Sequence, residues 1–131
     1  MKNKWRKNPD NYLKYRFQNI WGGLRRNKMP LPDKAVLIKR MLVILNTPCI
    51  YCTEKLTIST IGLDHVLPVA RSGTNHESNI QFICQKCNRR KGVFTHEEYQ
   101  SLLKFLSVKK REEMKKILLK RLGMSNFRWG R

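Results

Sequence analysis

The sequence predicts a small α+β fold in which two helices precede a compact unit of two strands and a helix, and two further helices follow. Three observations predict it: helically spaced apolar residues near both ends, short β-prone runs in the middle, and a helix-capping signal after those runs. With 131 residues, the chain has room for one modest hydrophobic core, so all these elements are expected to belong to one structure.

Two helices are predicted in the first part of the chain. From Asp10 to Arg26, apolar residues recur every three or four positions with basic residues between them, although Gly22 and Gly23 weaken the end. Residues 27–32 are expected to form a turn. The same apolar spacing returns from Asp33 to Leu45, where Asn46-Thr47-Pro48 should stop the helix.

The middle of the chain changes to β-prone segments. Residues 56–58 and 61–67 form two such runs, a turn signal lies at 71–74, and a further run covers 80–83. The spacing therefore predicts a hairpin rather than a continuation of the helices.

A capping box announces the next helix. Thr95 supplies the N-cap hydroxyl and Glu98, three residues later, supplies the returning carboxylate. A last helix is predicted over residues 109–122. In the tail, 124–131, Phe127 and Trp129 could stack on nucleobases or pack back on the core, and packing is favoured.

The charge favours a polyanionic partner. The formal net charge is +19, and residues 1–40 hold 12 Lys and Arg against 2 acidic residues, whereas residues 41–94 hold 6 against 3 and residues 95–131 hold 10 against 4. Basic flanks on either side of a less basic centre are suited to gripping nucleic acid. The alternative is a solvated basic surface, or a polycation that binds nucleic acid without acting on it.

Membrane and secreted proteins are disfavoured. The longest apolar run, Met41 to Leu45, is far shorter than the roughly 20 residues that span a bilayer. The charged start of the chain is not followed by the apolar region of a signal peptide. A cytoplasmic location, where thiols stay reduced, is therefore expected.

Four cysteines form two C-x2-C pairs. Cys49 and Cys52 make one pair and Cys84 and Cys87 the other, with 31 residues between them. Two thiolates at this spacing lie on one tight turn, so two such turns can supply the four tetrahedral ligands of a structural zinc. A closed set of four thiolates leaves no open coordination position, so this zinc would hold structure. The alternative is four buried free thiols.

The segment enclosed by the cysteines carries a set of polar residues in a distinctive order. It contains Asp64-His65, then Asn79, then Asn88-Arg89-Arg90-Lys91 directly after the last cysteine. This pattern closely resembles the HNH nuclease family, in the version with two cysteine pairs. The resemblance covers residues 49–92, one third of the chain. It implies a ββα-metal (HNH) module with a four-cysteine structural zinc, here flanked by N- and C-terminal helices.

The adjacent acid and histidine suit two different roles. Neighbouring residues on a strand point to opposite faces unless the backbone bends. The Asp64 carboxylate is a hard oxygen ligand suited to Mg2+, while the neutral imidazole of His65 remains free to take a proton from water. The alternative is that Asp64 is an ordinary acid near a turn and His65 a hydrogen-bonded core histidine. The two cysteine pairs around them disfavour this alternative. The other two histidines, His76 and His96, are expected to be structural or exposed.

The resemblance assigns the remaining residues. It implies that Asn88 is the second protein ligand of a catalytic Mg2+ or another divalent cation such as Mn2+, at a position where many relatives have histidine. It makes Asn79 a scaffold residue that fixes the hairpin and His65. Arg89, Arg90 and Lys91 are expected to meet phosphates near the cut, the alternative being a solvated helix face.

The resemblance also implies the activity: hydrolysis of a DNA phosphodiester, as a nick or a double-strand cut, to 5′-phosphate and 3′-hydroxyl ends. His65 would activate the attacking water, and the metal held by Asp64 and Asn88 would stabilise the transition state. Small free-standing relatives are frequent in phages and mobile elements, so a bacterial cell or a phage-infected host is expected.

Two other functions stay open: a non-catalytic, zinc-stabilised nucleic-acid-binding module, and a nuclease acting on RNA. The expected organisation is a basic helical DNA-binding arm at 1–48, the nuclease module at 49–94, and C-terminal helices with a basic tail at 95–131.

Overall fold

The protein is seen here in a computed structural model that describes residues 8–107 and 112–123. Its fold is α+β, as the sequence predicts, with a two-stranded sheet among helices. The elements, in chain order, are α1 (Pro9–Arg26), α2 (Lys34–Ile44), β1 (Ile61–His65), β2 (Ile80–Cys84), α3 (Gln85–Lys91), α4 (His96–Leu106) and α5 (Glu112–Arg121). The predicted start of the last helix at 109–111 and the tail with Phe127 and Trp129 lie outside the described residues.

The helices begin where capping side chains are available. The Asn8 side chain accepts a hydrogen bond from the amide of Asp10, and Asp33 caps α2 by accepting from two amides of its first turn. Thr95 and Glu98 form the predicted capping box at the start of α4. Each cap satisfies backbone donors that a helix leaves unpaired at its N-terminus.

The two strands form an antiparallel hairpin whose register separates two faces. Asp64 lies opposite Gln81, and His65 lies opposite Ile80. Since residues directly opposite each other in a sheet point to the same side, Asp64 and Gln81 share one face while His65 and Ile80 share the other.

Helices α1 and α2 cover the His65 face. Their buried residues form one hydrophobic cluster with the inward residues of the hairpin: Phe17, Leu24, Leu37, Met41, Ile61, Ile80 and Phe82. The other face packs against the cysteines and α4, with Leu56, Ile83 and Tyr99 at the centre, and Leu119 and Leu122 from the end of the chain lie against that cluster. The hairpin is therefore enclosed on both sides.

Two N-terminal arginines are part of this packing. Arg16 donates to the carbonyls of Ile58 and Ile61, at 3.0 and 2.5 Å. Arg40 donates to the carbonyls of Glu77 and Ile80, at 2.7 and 2.5 Å. Part of the N-terminal charge thus joins α1 and α2 to the hairpin. The division into an arm, a nuclease module and C-terminal helices stays a prediction.

The β-prone run at 56–58 is not a strand, contrary to expectation. Pro48 and Lys55 form an isolated bridge, and residues 57–60 form a turn in which the amide of Ile61 donates to the carbonyl of Thr57 at 2.9 Å. The Thr57 hydroxyl also pairs with Thr60, so local side-chain bonds compete with extension. Within the part of the chain that the structure describes, no helix is both long and apolar enough to cross a bilayer.

Candidate active site

The four cysteines converge into a buried cluster. Their sulfur atoms all lie within 4.8 Å of one another, and the sulfurs of Cys52 and Cys84 are 3.7 Å apart. Cys49 and Cys52 lie on the turn after α2, where Thr53 has a left-handed backbone (φ 65°) and its amide donates to the carbonyl of Cys49. Cys84 is the N-cap of α3, and the amide of Cys87 donates to its sulfur at 3.3 Å. Two tight turns therefore present the four sulfurs to one point.

This donor set fits a tetrahedral metal ion such as Zn2+. Bonds of about 2.3 Å from one ion to four sulfurs place neighbouring sulfurs about 3.8 Å apart, close to the separation observed. Burial raises the pKa of Cys52 to about 11, so a thiolate there needs a nearby positive charge. Hydrogen bonds from the sulfurs of Cys84 and Cys87 lower the pKa of Cys49. One cation bonded to all four sulfurs would stabilise them as thiolates, so that they would no longer need to share protons with one another.

Asp64 is a buried carboxylate with two partners. Its side chain is on the hairpin face that points toward α3, and the residue is only 5% exposed. The Lys91 ammonium lies 3.0 Å from its Oδ2 and 3.3 Å from its Oδ1. The Gln81 amide, directly across the hairpin, donates to Oδ2 at 2.8 Å. These contacts hold the carboxylate in one orientation.

Lys91 differs from the expected phosphate-contacting residue. It is fully buried, and its ammonium donates to the backbone carbonyls of His65 (2.9 Å) and Val66 (3.4 Å) as well as to Asp64. A lysine enters an interior when its charge is paired and its donors are satisfied, as they are here. Its position at the end of α3 ties that helix to the end of β1.

His65 meets a residue that the sequence pattern did not single out. Its Nε2 lies 2.9 Å from the Oδ1 of Asn75, which is 1% exposed. Asn75 is held in turn by Asn27 and by the carbonyl of Leu24 in α1. The end of α1 therefore contributes to the surroundings of this histidine.

The hydrogen bond to Asn75 defines the proton position on the ring. An amide oxygen accepts and does not donate, so Nε2 carries the hydrogen. In the neutral ring the lone pair is then on Nδ1. That nitrogen is the one that can take a proton.

Asn79 fixes the loop of the hairpin through hydrogen bonds between its side chain and backbone groups. Its Oδ1 accepts from the amide of Leu67 at 2.8 Å, and its Nδ2 donates to the carbonyls of Leu67 (3.0 Å) and Thr74 (2.9 Å). The amide of Val66 donates to its backbone carbonyl. These bonds hold the segment between His65 and Asn75 in one conformation.

Asn88 lies on α3 against β1. Its Nδ2 donates to the carbonyl of Leu63 at 2.9 Å, beside Asp64 in the chain, and this bond leaves the amide oxygen available as a hard ligand. Arg89, the next residue, is exposed, and Arg90 is half-buried. Because Asn88 directly follows Cys87, the cysteine cluster fixes the start of the helix that presents it.

The network around Asp64 reaches α4 through residues that the sequence analysis missed. The Gln81 amide also donates to the Tyr51 hydroxyl at 2.9 Å, and that hydroxyl pairs with Nδ1 of His96 at 2.7 Å. Burial raises the pKa of Tyr51 to about 12. His76, in contrast, is exposed and pairs locally with Ser78. The position of Tyr51 between the first two cysteines was the available signal.

The sequence also contains an indication of the tight loop that carries Asn75, namely Gly73 two residues before it. A Cβ atom added to Gly73 would lie 1.7 Å from the carbonyl oxygen of Leu67, so the loop closes only with glycine there. This close approach brings Asn75 under the end of β1.

The geometry defines a class of site: a histidine and a carboxylate on opposite faces of one strand, a helix across that strand, and a four-sulfur cluster at the helix start. Residues 49–103, fewer than half of the chain, match the HNH endonuclease family. This segment is therefore similar in sequence to HNH endonuclease domains.

Two curated proteins are similar to the same part of the chain. The CRISPR-associated endonuclease Cas9 of Corynebacterium diphtheriae is 40% identical over 48 residues, and that of Actinomyces naeslundii is 39% identical over 44 residues. These matches cover 36% and 33% of this chain, and in both cases 4% of the relative. The chain thus corresponds to a small part of those proteins.

Proposed function

We propose that this chain is a metal-dependent endonuclease that hydrolyses DNA phosphodiester bonds to 5′-phosphate and 3′-hydroxyl ends. The observation that carries the proposal is the fixed imidazole of His65, with its free nitrogen at Nδ1, next in sequence to the buried carboxylate Asp64 inside a segment similar to HNH endonuclease domains.

In the proposed reaction, Nδ1 of His65 takes a proton from a water molecule as the water oxygen bonds to phosphorus. The bond between phosphorus and the 3′ oxygen breaks, and that oxygen leaves and becomes a hydroxyl by taking a proton from solvent water. Asn75 holds the ring in place, and Asn79 fixes the loop between them. The protein's main contribution is thus to orient one base nitrogen.

Asp64 and Asn88 are the proposed ligands of a catalytic divalent cation, with Mg2+ first and Mn2+ as the alternative. Both offer oxygen donors of the type these ions prefer. When bound, the ion would supply charge stabilisation for the leaving 3′ oxygen. Lys91 already neutralises Asp64, so we expect weak metal affinity in the absence of the substrate phosphate.

The proposed structural metal is Zn2+ on Cys49, Cys52, Cys84 and Cys87. Its role is to hold the start of α3, and so Asn88, against the hairpin. Reduced thiols suit such a site, and we therefore place the protein in the cytoplasm of a bacterial or phage-infected cell.

Duplex DNA is the proposed substrate, with RNA as the alternative. The net charge of +19 favours a polyanion. The proposed phosphate contacts are Arg89 and Arg90 on α3 and three exposed residues at the end of α1: Arg25, Arg26 and Lys28. The last three flank Asn27, two hydrogen bonds from His65.

Supercoiled plasmid incubated with Mg2+ or Mn2+ tests the proposal. We expect wild-type protein to give open-circular or linear DNA, and His65→Ala to lose this activity. His76→Ala is the matched control, because His76 is an exposed histidine whose ring bonds to Ser78 within its own loop. A shift of the plasmid without cleavage would instead indicate the non-catalytic binding module, and a structured RNA substrate in parallel separates the two nucleic acids.

A further inference from the structure

We infer that Asn27, at the end of α1 and outside the family-matched segment, is a positioning residue that decides which nitrogen of the His65 ring carries the proton. The catalytic meaning of this inference rests on the proposed nuclease function. The position of the ring proton depends only on the hydrogen bonds described below.

A backbone amide, which can only donate, fixes the orientation of the Asn27 side chain. The amide of Met29 donates to the side chain of Asn27 at 3.1 Å, so the atom that accepts there is the oxygen Oδ1. The other atom of the Asn27 amide is then the nitrogen Nδ2, which donates to Oδ1 of Asn75 at 2.7 Å. A backbone group thus determines how Asn27 faces Asn75.

Asn75 completes a paired contact with Asn27. Its Nδ2 donates back to the Oδ1 of Asn27 at 2.8 Å. The same nitrogen lies 3.4 Å from the carbonyl oxygen of Leu24. Lys28 would be the helical partner of that carbonyl, but its amide donates to Arg25 instead. The carbonyl at the end of the helix is therefore free to accept from Asn75.

The oxygen of Asn75 is thereby directed to His65. It lies 2.9 Å from Nε2 of the ring, and it can only accept. If the Asn75 amide were reversed, its nitrogen would face the Nδ2 of Asn27 and its oxygen would face both the Oδ1 of Asn27 and the carbonyl of Leu24. Asn75 is 1% exposed, so a reversed amide would be left with buried, unmatched groups.

A series of hydrogen bonds thus runs from the backbone at the end of α1 through Asn27 and Asn75 to the His65 ring. Each bond fixes which atom of the next group donates and which accepts. The series selects the Nε2–H form and leaves the Nδ1 lone pair for the reaction. Without Asn27, only the longer contact with the Leu24 carbonyl (3.4 Å) orients the Asn75 amide, so the amide can turn and either ring nitrogen can carry the hydrogen. The end of α1 is then a part of the active site as well as a basic surface.

Nitrogen-15 NMR of histidine-labelled protein tests this directly, at a pH where the ring is neutral. Two-bond correlations distinguish a protonated ring nitrogen from a bare one. We expect wild-type His65 to show a protonated Nε2 and a bare Nδ1. We expect Asn27→Ala to show a mixture of both forms, whereas Asn19→Ala, an exposed asparagine of the same helix, keeps the wild-type pattern.

A rescue variant separates positioning from folding. In the Asn27→Ala background, Asn75→Asp presents a carboxylate that can only accept, so it should restore the protonated Nε2 without Asn27. A protonated Nδ1 in wild-type protein would overturn the inference, and so would a pure Nε2–H form in Asn27→Ala. Circular dichroism confirms that each variant compared is folded.

The cleavage assay provides a second readout. Asn27→Ala should lower the plasmid cleavage rate by at least about tenfold with little change in DNA affinity, because a wrong tautomer impairs a histidine base without removing binding contacts. If His65→Ala cleaves as wild type does, the proposed function fails while the NMR result still decides the hydrogen-bond argument. Unchanged cleavage in Asn27→Ala, with His65→Ala inactive, would overturn the inference alone.

Discussion

The buried ion pair between Lys91 and Asp64 allows a quantitative prediction about stability. Lys91 has no exposed surface, and its ammonium contacts both carboxylate oxygens and two backbone carbonyls. In Lys91→Met, Asp64 would keep only the Gln81 amide as a partner for a charge that is almost fully buried. Removing one member of such a pair typically costs about 3–5 kcal/mol. We therefore expect the free energy of unfolding of Lys91→Met to fall by that amount.

Urea unfolding of the zinc-loaded protein, followed by circular dichroism, measures this change. Lys86→Met is the matched control on the same helix: its ammonium is 3.9 Å from Glu54, and both side chains are at least half exposed. Exposed pairs contribute less than about 1 kcal/mol, so the control should stay near wild type. Asp64→Asn combined with Lys91→Met should recover part of the loss, because the unpaired charge is gone.

A loss in Lys91→Met no greater than in Lys86→Met would refute the reasoning. It would mean that Lys91 is solvated and that Asp64 does not depend on it. The double variant provides a further check, since it should be more stable than Lys91→Met only if the penalty comes from a buried carboxylate.

Three further predictions concern the metal cluster, the hairpin loop and a helix cap. Cys52→Ser or a strong chelator should unfold the region around the cysteines, and native circular dichroism in zinc-free protein would contradict this. Gly73→Ala should lower the melting temperature and the cleavage rate, because its Cβ would lie 1.7 Å from the Leu67 carbonyl oxygen. The control Gly22→Ala in α1 should be tolerated, because its nearest contact would be at 3.8 Å. Equal melting temperatures for the two variants would argue against the tight loop. The amide of Thr95 and the guanidinium of Arg71 lower the pKa of Glu98, so the stabilisation from its carboxylate is present above the unfolded pKa and is lost as the pH falls through the lowered folded pKa. The difference in stability between wild type and Glu98→Gln, measured by thermal unfolding, should therefore shrink in acid. A difference that does not change with pH would contradict this prediction.

Local signals predicted the helices and the cysteine cluster. Asp33 and the pair Thr95 and Glu98 are caps that act within one helical turn, so the sequence alone reveals them. The four cysteines converge as their spacing indicates. The β-prone run at 56–58 was misread because the hydroxyls of Thr57 and Thr60 favour a turn, which a count of branched residues does not register.

The partners of the site residues could not be predicted in the same way. Asn75 is held against His65 because α1 packs on that face of the hairpin, and its bond to Asn27 joins residues 48 positions apart. Lys91 was expected to contact phosphates together with Arg89 and Arg90, but α3 is short and its last turn lies against β1. Such contacts depend on how elements pack, and a basic run in the sequence does not show which member turns inward.

Hydrolysis of a labelled duplex in 18O-enriched water tests the central claim most directly. We expect cleavage by wild-type protein with a divalent cation, one 18O atom in the new 5′-phosphate and none in the 3′-hydroxyl, and no product from His65→Ala at equal protein concentration. Ends with a 3′-phosphate, or equal cleavage by wild type and His65→Ala, would contradict the assignment of His65 as the base that delivers water to phosphorus.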